Sequence, residues 1–232
     1  MTHDLLHLLH ERSPYEGHDI AAHPGDLQGW GSTDPIFRLV LAALRPQIIV
    51  EVGSWKGASA IHMASTAREL GLAVQIVCVD TWLGSPEHVL ALQPGWRESL
   101  RLRNGYPQLY FTFLTNVIQQ GVADMIVPLP ATSENAATIL AHKGIRPQLV
   151  YIDATHEYFA VKRDLQLYWQ LLTDNGVLLG DDYAAWPGVT QAANEFAKER
   201  NLLLAGRPGK FLLAKNPAFL RYVVPSLQKG QP

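Results

Sequence analysis

Cysteine is all but missing. Cys78 stands alone, so no disulfide can form within the chain, and a reducing, cytoplasmic setting is expected. It falls inside the apolar run "VQIVCVD" (74–80), where a small core residue is the expected role rather than a nucleophile. Long hydrophobic runs are lacking too. None approaches the roughly 20 residues that cross a bilayer, and "MTHDLLHLLHERSPYEGHD" has no basic stretch followed by a long apolar one. No membrane partner is expected. Charge of one sign is also scarce: 19 Lys+Arg against 21 Asp+Glu leaves −2, which removes any global attraction to nucleic acid. The densest basic group, "RESLRLR" (97–103), reads as a solvated helix face. His3, His7 and His10 share one helical face and are expected simply to meet solvent.

What is present fits a globular domain. With 232 residues, 47% of them hydrophobic, the chain has room for one large domain with a substantial core. From residue 47 onward β-type apolar runs alternate with helical patterns, the mark of βαβ units and a parallel sheet. The spacing predicts strands at 47–52, 73–80, 123–130, 147–153 and 176–182. Between and after them come helices over "SAIHMASTAREL", "SENAATILAHKG", "EYFAVKRDLQLYWQLL" and "GVTQAANEFAKER", with Ser133 expected to cap the second and Gly144 to stop it. "NLLLAGRPGKFLLAKN" reads as a hairpin turning at "GRPG". The expected fold is therefore α/β, a Rossmann-like, doubly wound, seven-stranded and mostly parallel sheet with an antiparallel hairpin at its C-terminal end. Two segments stand outside the alternation. Residues 1–34 form a leading helix and a Gly/Pro/Asp-rich loop, and residues 81–108 an insertion expected to serve as lid or substrate wall of a domain spanning 35–220.

The stretch "IIVEVGSWKGASAIHMA" (48–64) bends between strand and helix on two glycines. A phosphate loop needs four residues between its glycines and Lys-Ser/Thr directly after the second, and here Lys56 precedes Gly57. A dinucleotide fingerprint needs a second glycine where this chain has Trp55. What remains is Glu51-x-Gly53-x-x-x-Gly57, which resembles the first motif of class I S-adenosylmethionine (SAM) dependent methyltransferases. Asp80, closing the second strand, is placed to accept hydrogen bonds from a ribose diol. "DTWLGSPEH" (80–88) and "VYIDATHEYFAVKRDLQLYWQLLTDNGVLLGDDY" (150–183) sharpen the likeness. They resemble the macrocin- and mycinamicin-type sugar O-methyltransferases and the cephalosporin-hydroxylase-like proteins. The resemblance covers about residues 35–215. It implies SAM as cofactor, held by Glu51, Gly53, Ser54, Gly57, Ser59, Asp80, Thr132, Ser133 and Asp153.

Asp153, Asp181 and Asp182 close adjacent strands, and three such oxygens suit a hard cation such as Mg²⁺. His156, three residues after Asp153, is the candidate base that takes a proton from an acceptor hydroxyl. Trp55, Trp82, Trp96 and Trp186 fall near strand ends or on the insertion, as candidate walls of an acceptor pocket or as core. The expected activity is metal-assisted O-methylation of a hydroxylated small molecule, a sugar or polyketide-type acceptor. Two alternatives stay open: a hydroxylase-like enzyme on the same fold, and a non-catalytic SAM- or nucleotide-binding partner subunit. Oligomeric state is also open, a homo-oligomer included.

Overall fold

The computed structural model describes residues 4–229, with side chains to residue 225. Helix α1 (Leu5–Leu9) and a long loop lead to α2 (Ile36–Leu44), β1 (Ile48–Val52), α3 (Ala58–Glu69) and β2 (Gln75–Asp80). Two four-residue helices, α4 (Pro86–Val89) and α5 (Trp96–Ser99), punctuate the expected insertion. Then come α6 (Leu109–Gln119), β3 (Ile126–Pro130), α7 (Ser133–His142), β4 (Leu149–Ile152) and α8 (Tyr158–Leu171). The chain closes with β5 (Val177–Asp181), α9 (Pro187–Glu199), β6 (Leu204–Arg207), β7 (Lys210–Ala214) and α10 (Pro217–Lys229).

The seven strands order as β3-β2-β1-β4-β5-β7-β6, with β1 to β5 parallel and β7 antiparallel to both β5 and β6. This is the sheet expected from the alternation and the "GRPG" turn. The order reverses between β1 and β4, and that switch point opens a crevice at the carboxyl ends of the strands.

Period-2 alternation splits each strand between two cores. Ile49, Ile76, Cys78 and Tyr151 face α2, α3, α6 and α10, whereas Val50, Val52, Val77 and Val79 face α7, α8 and α9. On α8, Val161, Leu165, Tyr168 and Leu171 form the buried stripe, and Asp164 lies on the same stripe. Helices α2, α6 and α10 lie outside the expected alternation; α6 completes the crossover from the insertion to β3. The N-terminal segment lies along the edge strand β3. The Tyr15 hydroxyl donates to the Ile126 carbonyl at 2.9 Å, and His10 Nε2 meets the Pro128 carbonyl at 2.7 Å. His10 is thus drawn onto the sheet edge, whereas His7 is exposed beside Asp4; His3 lies outside the described residues.

Candidate functional site: a cavity at the switch point

The glycine bend answers first to the protein's own packing. Gly53 and Gly57 have φ of +87° and +86°, in the left-handed region that side chains resist. A Cβ on Gly53 would lie 2.0 Å from the Asp153 carbonyl oxygen, and one on Gly57 would lie 2.9 Å from the Phe113 ring. The exit of β4 and the flank of α6 therefore occupy the space that the missing side chains leave.

Glu51, expected to face the cofactor, is instead fully buried beneath the bend. Its Oε1 accepts a 2.5 Å hydrogen bond from the Ser59 hydroxyl, and its Oε2 lies 3.5 Å from Cys78 Sγ. Burial pushes its carboxyl up to about 7, with the Ser59 contact opposing. Burial likewise pushes the Cys78 thiol well up, which agrees with an inert core residue. Ser54 and Gly57 are buried with Glu51, so this group braces the bend from below.

Above the bend opens a cavity of about 900 Å³. Gly53, Asp80, Ser133, Asp153, His156, Asp181 and Asp182 all line it, so most of the sequence-derived candidates meet in one place. Asp80 accepts the Trp55 amide at 2.8 Å and the Trp82 amide at 2.7 Å. Those bonds aim the carboxylate and leave lone pairs over for a ligand; burial still raises its pKa. Thr132, rather than Ser133, caps α7, accepting from the Asn135 amide at 3.3 Å, and it is not among the residues that line the cavity. The Ser133 hydroxyl is thereby released to donate to Asp164, whose carboxyl burial pushes up to about 6.

The outer wall is aromatic. Trp55 stacks on His88 with ring centres 4.4 Å apart; Trp96 lies 5.3 Å from His88, and Trp30 lies 6.0 Å from Trp55. Trp55 does not close the bend, because its indole N–H donates to Gln28 at 2.9 Å and turns the ring outward. Trp82 belongs to the core, donating its indole N–H to the Trp55 carbonyl at 2.7 Å. Trp30, Gln28 and Asp26 come from the N-terminal loop. Buried Lys56 clamps that loop through a 2.6 Å bond to Asp26, and Asn116 Nδ2 donates to the Asp26 carbonyl at 2.8 Å. Trp30, Gly31 and Asp34 of this loop line the cavity, so the N-terminal segment supplies part of its wall.

The acids at the ends of β4 and β5 are each already engaged. The Asp182 carboxylate lies 2.9 Å from His156 Nε2, aimed there by a left-handed backbone (φ +61°). Asp181 Oδ1 pairs with buried Lys210 Nζ at 2.6 Å, and its Oδ2 accepts from the Tyr151 hydroxyl at 2.7 Å. The Tyr151 oxygen is also 3.0 Å from Asp153 Oδ2. A phenol has one proton and donates it to one acid. Burial, then the Asp181 and Asp182 charges, push the Asp153 carboxyl well above the ordinary range. The Tyr151 hydroxyl thus bridges the two acids. The expectation of three carboxylates around one divalent ion is not met: among the described residues no group of three or more His, Cys, Asp or Glu is disposed to hold a metal.

His156 stacks on Trp186, with ring centres 4.2 Å and planes 7° apart. Burial alone would lower its pKa, but the Asp182 contact, with Glu87 and Asp181 nearby, raises it above the ordinary value. The imidazole thus sits on the cavity wall with one nitrogen committed to Asp182. Lys210, Asp164 and Trp30 are the site residues that pattern reading did not single out. Asp164 had a signal, a carboxylate on the apolar stripe of a helix.

A methyltransferase-domain family model matches residues 50–183, from β1 to just past β5. The chain belongs to this methyltransferase family. Its sheet is that of the class I SAM-dependent methyltransferases. The O-methyltransferase NovP superposes with a TM-score of 0.56 at 18% identity, over 77% of this chain and 79% of that one. The calicheamicin methyltransferase CalS11 superposes with 0.55 at 24% identity, over 79% and 77%. TomG from Streptomyces achromogenes, an O-methyltransferase involved in tomaymycin synthesis and solved with SAM, gives 0.55 at 14% identity, over 89% and 88%. No curated protein sequence matches the chain significantly. Among the described residues no helix is long and apolar enough to cross a membrane.

Proposed function

We propose that this methyltransferase is a SAM-dependent O-methyltransferase acting on a hydroxyl of a small molecule, with His156 as general base. The observation that carries the reading is the His156–Asp182 pair on the same cavity as Gly53 and Asp80. The residues suit SAM on chemical grounds. Asp80 offers lone pairs to a ribose diol, the first turn of α3 favours a carboxylate, and Ser133 and Asp164 offer polar edges to an adenine. Bound SAM supplies an electrophilic methyl carbon.

The chain's own residues do the rest. His156 takes the proton of the acceptor hydroxyl as the acceptor oxygen forms its bond to that carbon. The methyl group that SAM would supply parts from its sulfonium sulfur to leave a neutral thioether, and Asp182 stabilises the resulting imidazolium. Trp186 keeps the ring in its plane. The acids of β4 and β5 do not fit a divalent ion as they stand, so no step passes through a metal. The acceptor half of the cavity lies between His156 and the wall of Trp30, Trp55 and Trp96. Indole faces favour the apolar face of a ring, which suits a sugar or polyketide-type acceptor.

Calorimetry with SAM tests the cofactor assignment, and absence of binding removes it. Incubation with SAM and a panel of hydroxylated sugars and polyketides, read by mass spectrometry, tests the reaction. SAM binding without any methylated product across the panel would favour the non-catalytic module.

A further inference from the structure

At the mouth of β5 a lysine stands where the acids would otherwise call for an ion. Lys210 is the first residue of β7, in register with Asp181 on β5, and its side chain is only 2% exposed. The ammonium lies 2.6 Å from Asp181 Oδ1 and 3.4 Å from the Tyr151 hydroxyl. The Phe37 and Tyr151 rings flank it, 5.7 Å and 5.5 Å from Nζ to their centres. Gly31 of the N-terminal loop closes the other side, since a Cβ there would sit 3.2 Å from Nζ. Both Lys210 and Asp181 line the cavity. The second acid, Asp182, is taken by His156, and the third, Asp153, by Tyr151. A divalent ion needs several free oxygens around one point, and here the point is filled by a tethered monovalent cation.

We propose that Lys210 is a built-in substitute for a divalent metal, so that the site works without an added cation and excludes one. The ammonium neutralises Asp181 and donates to the Tyr151 hydroxyl, which fixes a positive charge in the cavity wall. For its catalytic consequence this rests on the methyl-transfer reading, but ion uptake is measured without turnover, so the two can fail separately.

The test is Mn²⁺ uptake by the whole chain, followed by electron paramagnetic resonance. Wild type and Lys210→Arg are expected to leave Mn²⁺ free at millimolar concentration, and wild-type turnover is expected to survive EDTA. Lys210→Met, which frees Asp181, is expected to gain at least tenfold in Mn²⁺ affinity, and Asp181→Asn on that background to lose the gain. Stoichiometric Mn²⁺ uptake by wild type that Asp181→Asn abolishes would overturn the proposal. So would EDTA inactivation that Mg²⁺ reverses. Equal Mn²⁺ affinity of wild type and a folded Lys210→Met would overturn it too. Should Lys210→Met not fold, the wild-type and Lys210→Arg measurements still decide.

Discussion

Trp186 lies flat on His156, and Asp182 holds the edge of the same imidazole at Nε2. Ring plane and tautomer are thereby set by two neighbours on one short loop, which leaves Nδ1 as the nitrogen for an acceptor. Replacing His156 by Ala should leave SAM affinity intact and lower turnover about 10²-fold or more, in the range for losing a general base. Unchanged turnover would remove the assignment.

The same pair sets a pH dependence. The base must be neutral, and its pKa is raised above the ordinary value by Asp182 despite burial. Turnover should therefore rise with pH through a limb above the ordinary histidine range. Asp182→Asn should shift that limb to lower pH while also reducing turnover. A limb that does not move on this substitution would mean that Asp182 does not govern the titration.

Glu51 gives a stability prediction of opposite character. Its folded-state pKa is about 7 against an ordinary 4.5, so the folded state holds the proton more tightly than the unfolded one. The contribution of Glu51 to stability should therefore be greatest below about 4.5, fall as pH rises to about 7, and level off beyond. Glu51→Gln should remove that slope and, above pH 7, stabilise by up to about 3 kcal/mol. Urea titrations at pH 5 and pH 8 measure it; an equal slope in both proteins would place the titration elsewhere.

Gly53→Ala should be severely destabilising. The Cβ would meet backbone atoms of Asp153 and Ala154 at 2.0 to 2.5 Å, and neither can rotate away. Left-handed strain of about 1 kcal/mol adds to the overlap. A loss of several kcal/mol in chemical denaturation is expected, and a loss under 1 kcal/mol would show that β4 can withdraw.

How far the fold is legible depends on where each signal resides. "QIIVEV", "VQIVCVD", "PQLVYID" and "GVLLGDD" are near-continuous apolar runs because parallel strands are covered on both faces. The residues at their ends, Gly53, Asp80, Asp153, Asp181 and Asp182, follow directly from that placement. Helix α6, "LYFTFLTNVIQ", is rich in aromatic and β-branched residues with little intrinsic helix preference. It is helical because Phe113, Leu114 and Val117 pack on the core and Phe113 fills the space beside Gly57. Lys210 and Trp30 were hidden for another reason. A lysine opening a strand reads as solvated until the β5–β7 register sets it against Asp181, and a tryptophan in a Gly-rich loop has no local pattern. Contacts made across 29 or 25 residues, as Lys210–Asp181 and Trp30–Trp55 are, carry no short-range signature.

The N-terminal loop supplies the last prediction. Trp30 is about half exposed, an uncommon place for so large an apolar ring, yet it faces Trp55, His88 and Trp96 across the cavity mouth. A ring held there gains most of its burial only when a ligand covers it. Trp30→Ala should raise the acceptor KM about tenfold or more, the equivalent of losing one stacking contact of about 1.4 kcal/mol. SAM affinity and the urea midpoint should change little, because the loop stays clamped by Lys56–Asp26 at 2.6 Å. Trp30→Phe should restore most of the affinity. If Trp30→Ala instead weakened SAM and acceptor alike, the ring would be part of the cofactor half, and the acceptor would have to be sought nearer Trp186.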